Sequence, residues 1–286
     1  MRGTYRIKRF LHRRKMRRLL SEAERQVARF PTITQRKAHG LGHPLIVSLT
    51  SYPPRYDFLT KTIRSLLDQT VKADHTILWI DQSDEAAPLP QSVLDLREHG
   101  LEIRSCPDWR SYSKLIPALA EHPEATIVTT DDDVFYRPDW LETLVETSKR
   151  HPKEVVGTRL HLAPLKVDGR FENYSDWTLA SHLQSAPDAG SRLFPTGVGG
   201  VLYPPGVFDP QVMDDALFMR LAPRGDDIWF FWMARMAGTT QRRTAEWFDL
   251  VEWPSSQDVA LAADNLHGEG NDRQIRAMED HFGPVP

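Results

Sequence analysis

From Leu41 onward, short apolar runs alternate with stretches of helical period, and this alternation constrains the fold more than any other feature of the chain. Pro44–Leu49 (PLIVSL), His75–Ile80 (HTILWI), Leu101–Ser105 and Ala125–Thr130 (ATIVTT) read as strands. Between them, Tyr56–Gln69 places Leu59, Ile63, Leu66 and Leu67 on one helical stripe. A segment near Gln91–His99 and Ser113–Glu121 also read as helices, and Asp139–Arg150 follows Pro138 as another. Strands that alternate with helices form a largely parallel sheet, because each crossover returns the chain to the same end. The expectation is an α/β fold with helices on both faces of a mostly parallel sheet. Open sheets of this kind bind ligands beyond the carboxyl ends of their strands. The second half is less regular. Residues 161–196 mix Gly, Pro, Asp and aromatics without a period, and Gly197–Tyr203 (GVGGVLY) runs into Pro204-Pro205-Gly206. Ile228–Met236 is apolar nearly all round, so it reads as a buried helix.

Composition excludes several classes. A chain 40% hydrophobic and 26% charged is not disordered. No run approaches the roughly 18 apolar residues of a membrane span, and the N-terminus lacks the apolar segment of a secretory signal. Cys106 is the single cysteine, which excludes an intramolecular disulfide or a cysteine zinc cluster and fits a reducing cytoplasm. The net charge of −3 hides an asymmetry: residues 1–37 hold 13 Lys or Arg against Glu22 and Glu24. A cationic arm on an acidic body points to an anionic surface. Anionic lipid is the functional reading, and the acidic body argues against nucleic acid. Met16, Leu19, Leu20, Ala23, Val27 and Phe30 would line one helical face. Tyr5, Ile7, Phe10 and Leu11 do not continue it, so the segment is not one long amphipathic helix. A helix packed on the body, or a free tail, is the plain alternative. Residues 1–43 are thus expected to be a basic arm with a linker at 31–43, and residues 44–286 the main domain.

The sharpest chemical feature is Asp131-Asp132-Asp133, directly after the ATIVTT strand. Three adjacent carboxylates repel one another, and a dication relieves that repulsion; carboxylate oxygens select Mg²⁺ or Mn²⁺. In an extended segment Asp131 and Asp133 would point one way and Asp132 the other, an arrangement suited to a metal held against a diphosphate. A polar loop with Asp133 or Asp139 capping the next helix is the alternative. Asp226-Asp227 precedes the apolar IWFFWMA helix. Helix capping accounts for such a pair, and so does a general base, Asp227, that takes a proton from an attacking hydroxyl. Lys114 and Arg55 each read either as a phosphate partner or as a surface cation. Asp81 reads as a ribose or base contact, or as a turn residue. His267, in Asn265-Leu266-His267-Gly268, reads as a metal or phosphate ligand or as an exposed loop histidine. Trp177, Trp229, Trp232, Trp247 and Trp253 would stack on a sugar or fill the core. Phosphate-loop, zinc-protease, serine-hydrolase and dinucleotide-binding signatures are absent.

The ordered set VSLTSYPPR, ILWIDQS, SYSKLIPAL, TTDDDVFYRPDWLE, GVGGVLYPPG and GDDIWFFWMARMAG resembles bacterial family 2-like glycosyltransferases with the GT-A (Rossmann-like) fold, over roughly residues 44–240. The resemblance implies a nucleotide pocket at Thr50, Ser51, Tyr52, Arg55 and Asp81, with Asp131 on the diphosphate; Lys114 and Asp132 join the donor side as candidates from their own positions in the sequence. The resemblance places the metal on Asp131 and Asp133; His267, beyond its span, stays a further candidate ligand from its own loop. The resemblance also makes Asp226-Asp227 the catalytic pair, where the family has Glu-Asp, and the Gly-rich segment an acceptor-side loop. Ser-Tyr-Pro-Pro-Arg replaces the family's common Pro-x-Tyr-Asn. Residues 44–160 become the nucleotide-binding half and 161–286 the acceptor-side half. The implied function is metal-dependent transfer, by inversion, from a nucleotide-diphosphate sugar to a glycan or other hydroxyl acceptor in bacterial surface polysaccharide or glycoconjugate synthesis. The implied location is the cytoplasm, peripheral to the inner membrane face. A sugar-phosphate transferase and a non-catalytic, membrane-peripheral glycan-binding protein are the competing readings.

Overall fold

The structure, a computed structural model, describes residues 2–81, 87–254 and 270–286, with side chains from residue 9 onward in those ranges. Its centre is a seven-stranded sheet: β1 (Leu45–Thr50), β2 (His75–Asp81), β3 (Leu101–Cys106), β4 (Thr126–Thr130), β5 (Val155–Gly157), β6 (Val201–Tyr203) and β7 (Gln241–Arg243). The spatial order is β7-β5-β6-β4-β1-β2-β3. Only β6 runs against its neighbours; every other pairing is parallel. The expected α/β architecture is therefore present, with one reversed strand.

Alternation along β1 sorts the core into two layers. Leu45, Val47 and Leu49 face the helices Tyr56–Leu67 and Trp140–Arg150, meeting Leu59, Ile63 and Leu144. Ile46 faces the opposite layer, where the helix Asp226–Met236 contributes Trp229, Phe230 and Trp232. That helix is buried on nearly every side, as its all-round apolar sequence requires. The chain steps outward from β1 to β2 to β3, then returns to lay β4 on the other side of β1. The carboxyl ends of β1 and β4 therefore flank a topological switch point, the place where such sheets hold ligands.

Several expectations change. The helix expected over Ser113–Glu121 splits into a tight turn, Arg110–Lys114, and a short helix, Ile116–Glu121. Pro117 donates no amide hydrogen and is accommodated only in a first helical turn. The aperiodic segment 161–196 contains an antiparallel ribbon, Leu160–Pro164 against Ser191–Pro195. Its strands are largely buried on both faces and so lack alternation. The linker at 31–43 is tied down as well. The Asp68 carboxylate accepts the backbone N–H groups of Thr32 (3.0 Å) and Ile33 (2.8 Å), and Lys37–Ala38 pairs with Val71–Lys72.

The N-terminal arm is one continuous helix, Arg2–Ala28, although its apolar face does break where the sequence indicates. Ala23 and Val27, with Met16, Leu19 and Leu20, pack on Phe58, Phe135, Val251 and Trp253. Lys15 pairs with Asp249 at 2.7 Å. Beyond that contact Phe10 and Leu11 are 65% and 56% exposed. Among the described residues, no helix is long and apolar enough to cross a membrane.

Candidate functional site

At the switch point opens a cleft of about 1050 Å³, at the upper end of the size range for small-molecule sites. Thr50, Ser51, Tyr52 and Arg55 line it from the end of β1, Asp81 from the end of β2, and Asp131, Asp132 and Asp133 from the end of β4. Lys114 enters beneath them, and Asp226 and Asp227 face them from the far wall. Among the site residues named from the sequence, His267 alone lies outside the described residues.

The acidic triplet does not alternate as an extended segment would, because the chain bends at Asp132 and Asp133. Asp132 and Asp133 both turn to the buried guanidinium of Arg55, which touches Asp133 directly and lies 3.7 Å from Asp132. Ser51 Oγ donates to Asp132 Oδ2 at 2.6 Å. The Asp132 backbone carbonyl accepts from Thr62, which in turn accepts from the Trp253 indole. Burial pushes the Asp132 carboxyl up to about 7, against the pull of Ser51 and Arg55. Arg55 is therefore no surface cation; its place is to brace the triplet. Asp131, half-buried, points away to Lys114, with Nζ to Oδ1 at 3.1 Å. Side-chain capping is realised at neither residue: Asp133 goes to Arg55, and Asp139 holds the N-cap position through its carbonyl while its carboxylate pairs with Arg137 at 2.6 Å.

Lys114 is buried and bridges the two acidic groups. Its Nζ also lies 3.0 Å from Asp226 Oδ2. The turn carrying it is pinned where Ser48 Oγ donates to the Lys114 carbonyl at 2.6 Å. Burial alone would pull the ammonium down, but Asp131, Asp226 and Asp227 together push it well above the ordinary lysine value. Lys114 thus stays charged.

Asp226 and Asp227 open the helix Asp226–Met236, yet neither caps it; Gly225 holds the cap position without a side-chain bond. Both oxygens of Asp227 instead lie 3.0 Å from the Gly197 N–H. This explains the glycine: a Cβ there would lie 2.6 Å from Lys114 Nζ and 3.0 Å from Asp227 Oδ1. Burial pushes the Asp227 carboxyl up and the neighbouring Asp226 adds to it, while Lys114 and the Gly197 amide oppose. A carboxylate of raised proton affinity, open to a cleft, has the character of a general base.

Among the lining residues that sequence reasoning missed are Arg159, just past β5; His161 and Tyr174 around the ribbon; Thr196; and Glu252, in the segment beside the triplet. The buried His161 is pulled down to about 3 by burial and then by Arg159, so it is neutral. Burial, then Asp133, pushes Glu252 up. Only the strand-end position of Arg159 offered a signal. None of the five tryptophans lines the cleft; Trp177, Trp229, Trp232 and Trp253 are core, and Trp247 stacks on His182. The sugar-stacking reading is withdrawn.

The model of glycosyl transferase family 2 matches residues 50–192, half of the 286-residue chain and most of the strand ends just described. The chain belongs to that family. No curated protein matches it. Among solved structures, this family 2 chain is similar to S. aureus TarS 1–349 (15% identity, TM-score 0.47, covering 70% of this chain and 57% of that one). It is also similar to CMP:2-keto-3-deoxy-manno-octonic acid synthetase complexed with CTP (15% identity, TM-score 0.42, covering 80% and 100%). A third is glucosyl-3-phosphoglycerate synthase from Mycobacterium tuberculosis in complex with Mn²⁺, UDP and phosphoglyceric acid (16% identity, TM-score 0.29, covering 41% and 43%). The family 2 chain spans little more than half the length of TarS 1–349.

Proposed function

We propose that this family 2 chain transfers a sugar from a nucleotide-diphosphate donor to an acceptor hydroxyl, by inversion. The observation that carries this reading is one cleft with the Asp131–Asp133 triplet on one wall and Asp227 on the other. The half formed by residues 44–160 takes the donor: Thr50, Ser51, Tyr52 and Asp81 surround the nucleoside, and Lys114 and Asp131 face the diphosphate. The half formed by residues 161–286 takes the acceptor. Asp227 removes the proton from the acceptor hydroxyl as that oxygen attacks the anomeric carbon, and Asp226 keeps Lys114 in place beneath it. A single displacement inverts the configuration. The single cysteine, which suits a reducing compartment, supports reading the reaction as cytoplasmic, in surface-glycan synthesis.

Among the described residues, no three His, Cys, Asp or Glu side chains are clustered to hold a metal ion. The triplet nevertheless fits Mn²⁺ or Mg²⁺ shared with a ligand. All its donors are hard carboxylate oxygens, and Arg55 and Lys114 supply two positive charges against three aspartates, with Asp226 drawing on Lys114 as well. Magnesium-type sites commonly take one or two carboxylates and complete their shell with phosphate and water. Asp131 and Asp133 would hold the ion, and when bound it supplies positive charge to offset that of the departing diphosphate. Calorimetry with UDP, GDP and CDP, each with and without Mn²⁺, tests donor binding. One nucleotide should bind in a manner strengthened by Mn²⁺, and Asp131→Asn or Asp133→Asn should weaken it about tenfold, one charge-assisted contact being worth about 1.5–3 kcal/mol. Binding of none of the three, or binding indifferent to both Mn²⁺ and Asp131→Asn, overturns this part.

The arm, residues 1–43, is read as a peripheral anchor on anionic lipid. The exposed outer part of its helix carries Phe10 and Leu11 among Arg9, Arg13, Arg14 and Arg17. Each cation near such a surface contributes about 1 kcal/mol. The protein should sediment with phosphatidylglycerol vesicles and not with phosphatidylcholine alone. Changing those four arginines to glutamate should lower the partition about 100-fold or more. Equal sedimentation with both vesicles contradicts the anchor.

A further inference from the structure

The less exposed cations of the cleft, Arg55, Lys114 and Arg159, are not alike; Arg110 and Arg224 also line it but are exposed. Arg55 lies against Asp132 and Asp133, and Lys114 against Asp131 and Asp226. Arg159 has no such partner: among the described residues, no carboxylate lies within ion-pair distance of its guanidinium. Its side-chain bond is to a neutral hydroxyl, Nη1 donating to Thr196 Oγ1 at 3.0 Å. Thr196 Oγ1 donates in turn to the Arg159 carbonyl at 3.2 Å, which fixes the base of the side chain. The next residue, Gly197, holds Asp227 through its N–H. Arg159 is thus tied through Thr196 to the segment that seats the proposed base. It lines the cleft just past the end of β5, in the half proposed for the acceptor, with the neutral His161 and with Tyr174.

A half-buried guanidinium with no counter-charge is costly unless something supplies one. The planar fork of arginine fits carboxylate and phosphate oxygens by paired hydrogen bonds. Burial indeed pulls Arg159 below the usual arginine value, although Tyr174, then Asp227 and Glu252, oppose that fall. Asp227 is engaged by Gly197, and Glu252, beside the triplet and pushed up by burial, is drawn down only in part by Arg159 and Arg55, from outside ion-pair distance of Arg159.

We propose that Arg159 is an oxyanion-recognition residue of the acceptor site, selecting acceptors that carry a carboxylate or phosphate close to the hydroxyl that is glycosylated. This rests on the transferase reading, because it takes Asp227 to mark the position of the acceptor hydroxyl. Three probes separate the sources of the oxyanion: glucuronate, glucose 6-phosphate and glucose, each titrated calorimetrically into the full chain and offered as acceptors. The wild-type protein should bind at least one anionic probe about tenfold more tightly than glucose, since a charge-assisted contact contributes about 1.5–3 kcal/mol. The anionic-over-neutral ratio, in binding and in kcat/KM, should collapse toward one in Arg159→Gln and survive in part in Arg159→Lys. The loss should fall on acceptor KM rather than kcat. Preference for glucuronate alone or for the phosphate alone identifies which oxyanion is read. Equal binding of all three probes, or an unchanged ratio in Arg159→Gln, overturns the inference. Absence of nucleotide binding with the anion preference intact would instead strike only the transferase reading.

Discussion

Asp227→Asn should abolish transfer while leaving the donor nucleotide bound as tightly as in the wild type. The asparagine keeps the shape of the side chain, and its carbonyl oxygen can still accept from the Gly197 N–H. What it loses is the ability to take a proton, a contribution of roughly 10²–10⁴-fold in general-base catalysis. The checks are kcat for transfer and calorimetric affinity for the nucleotide that the wild type binds. Wild-type activity should also lose its base as pH falls. Because burial and Asp226 raise the proton affinity of Asp227 in the folded protein, activity should decline well above the ordinary aspartate value of about 3.9. An acid limb near that value, or transfer surviving Asp227→Asn, would remove Asp227 from the role.

Lys114→Met should destabilise the fold strongly. The ammonium is buried between Asp131 and Asp226, with Asp227 close by. Its removal leaves carboxylates facing one another with no cation, and breaking a buried pair in this way costs about 3–5 kcal/mol. For a chain of this size that is a fall of about 5–10 °C in Tm. The deficit carries a sign in pH. Without Lys114 the folded carboxylates hold protons more tightly than the unfolded ones do, so the variant loses stability as pH rises and regains it in acid. The gap from wild type should therefore narrow as pH is lowered. Adding Asp226→Asn should recover part of the loss, because the two side chains are in contact and their effects do not add. A single variant as stable as the wild type at neutral pH would show that Lys114 is not the keystone of this charge cluster.

Four of the seven sheet strands were legible because they are apolar and separated by helices with clear stripes, as in Leu59, Ile63 and Leu66 against β1; β5, β6 and β7 were not, being three residues long and, in Gln241–Arg243, polar. The acidic groups were legible by their position at strand and helix ends. What could not be read was how charges pair across the fold. Nothing near Arg55 in sequence says that it meets Asp132 and Asp133, and nothing near Lys114 says that it is buried. Both facts arise from strands brought together over long separations in the chain. The bend at Asp132–Asp133 defeated a rule that holds only for extended backbone. The ribbon Leu160–Pro164 with Ser191–Pro195 was invisible because strands covered on both faces show no alternation, and Arg159 and Tyr174 went with it. Thr196 escaped for another reason: one hydroxyl with a single hydrogen-bond partner leaves no mark in composition.

The helix that carries Asp227 is buried along most of its length and packs on Tyr112, Phe171, Phe194, Tyr203 and Phe218. Such a mounting gives the carboxylate very little freedom to travel, so the incoming molecule has to be brought to it. Relatives that differ in the hydroxyl they modify would therefore be expected to keep this rod and its acidic tip, and to diverge in the ribbon and loops that frame the opposite rim.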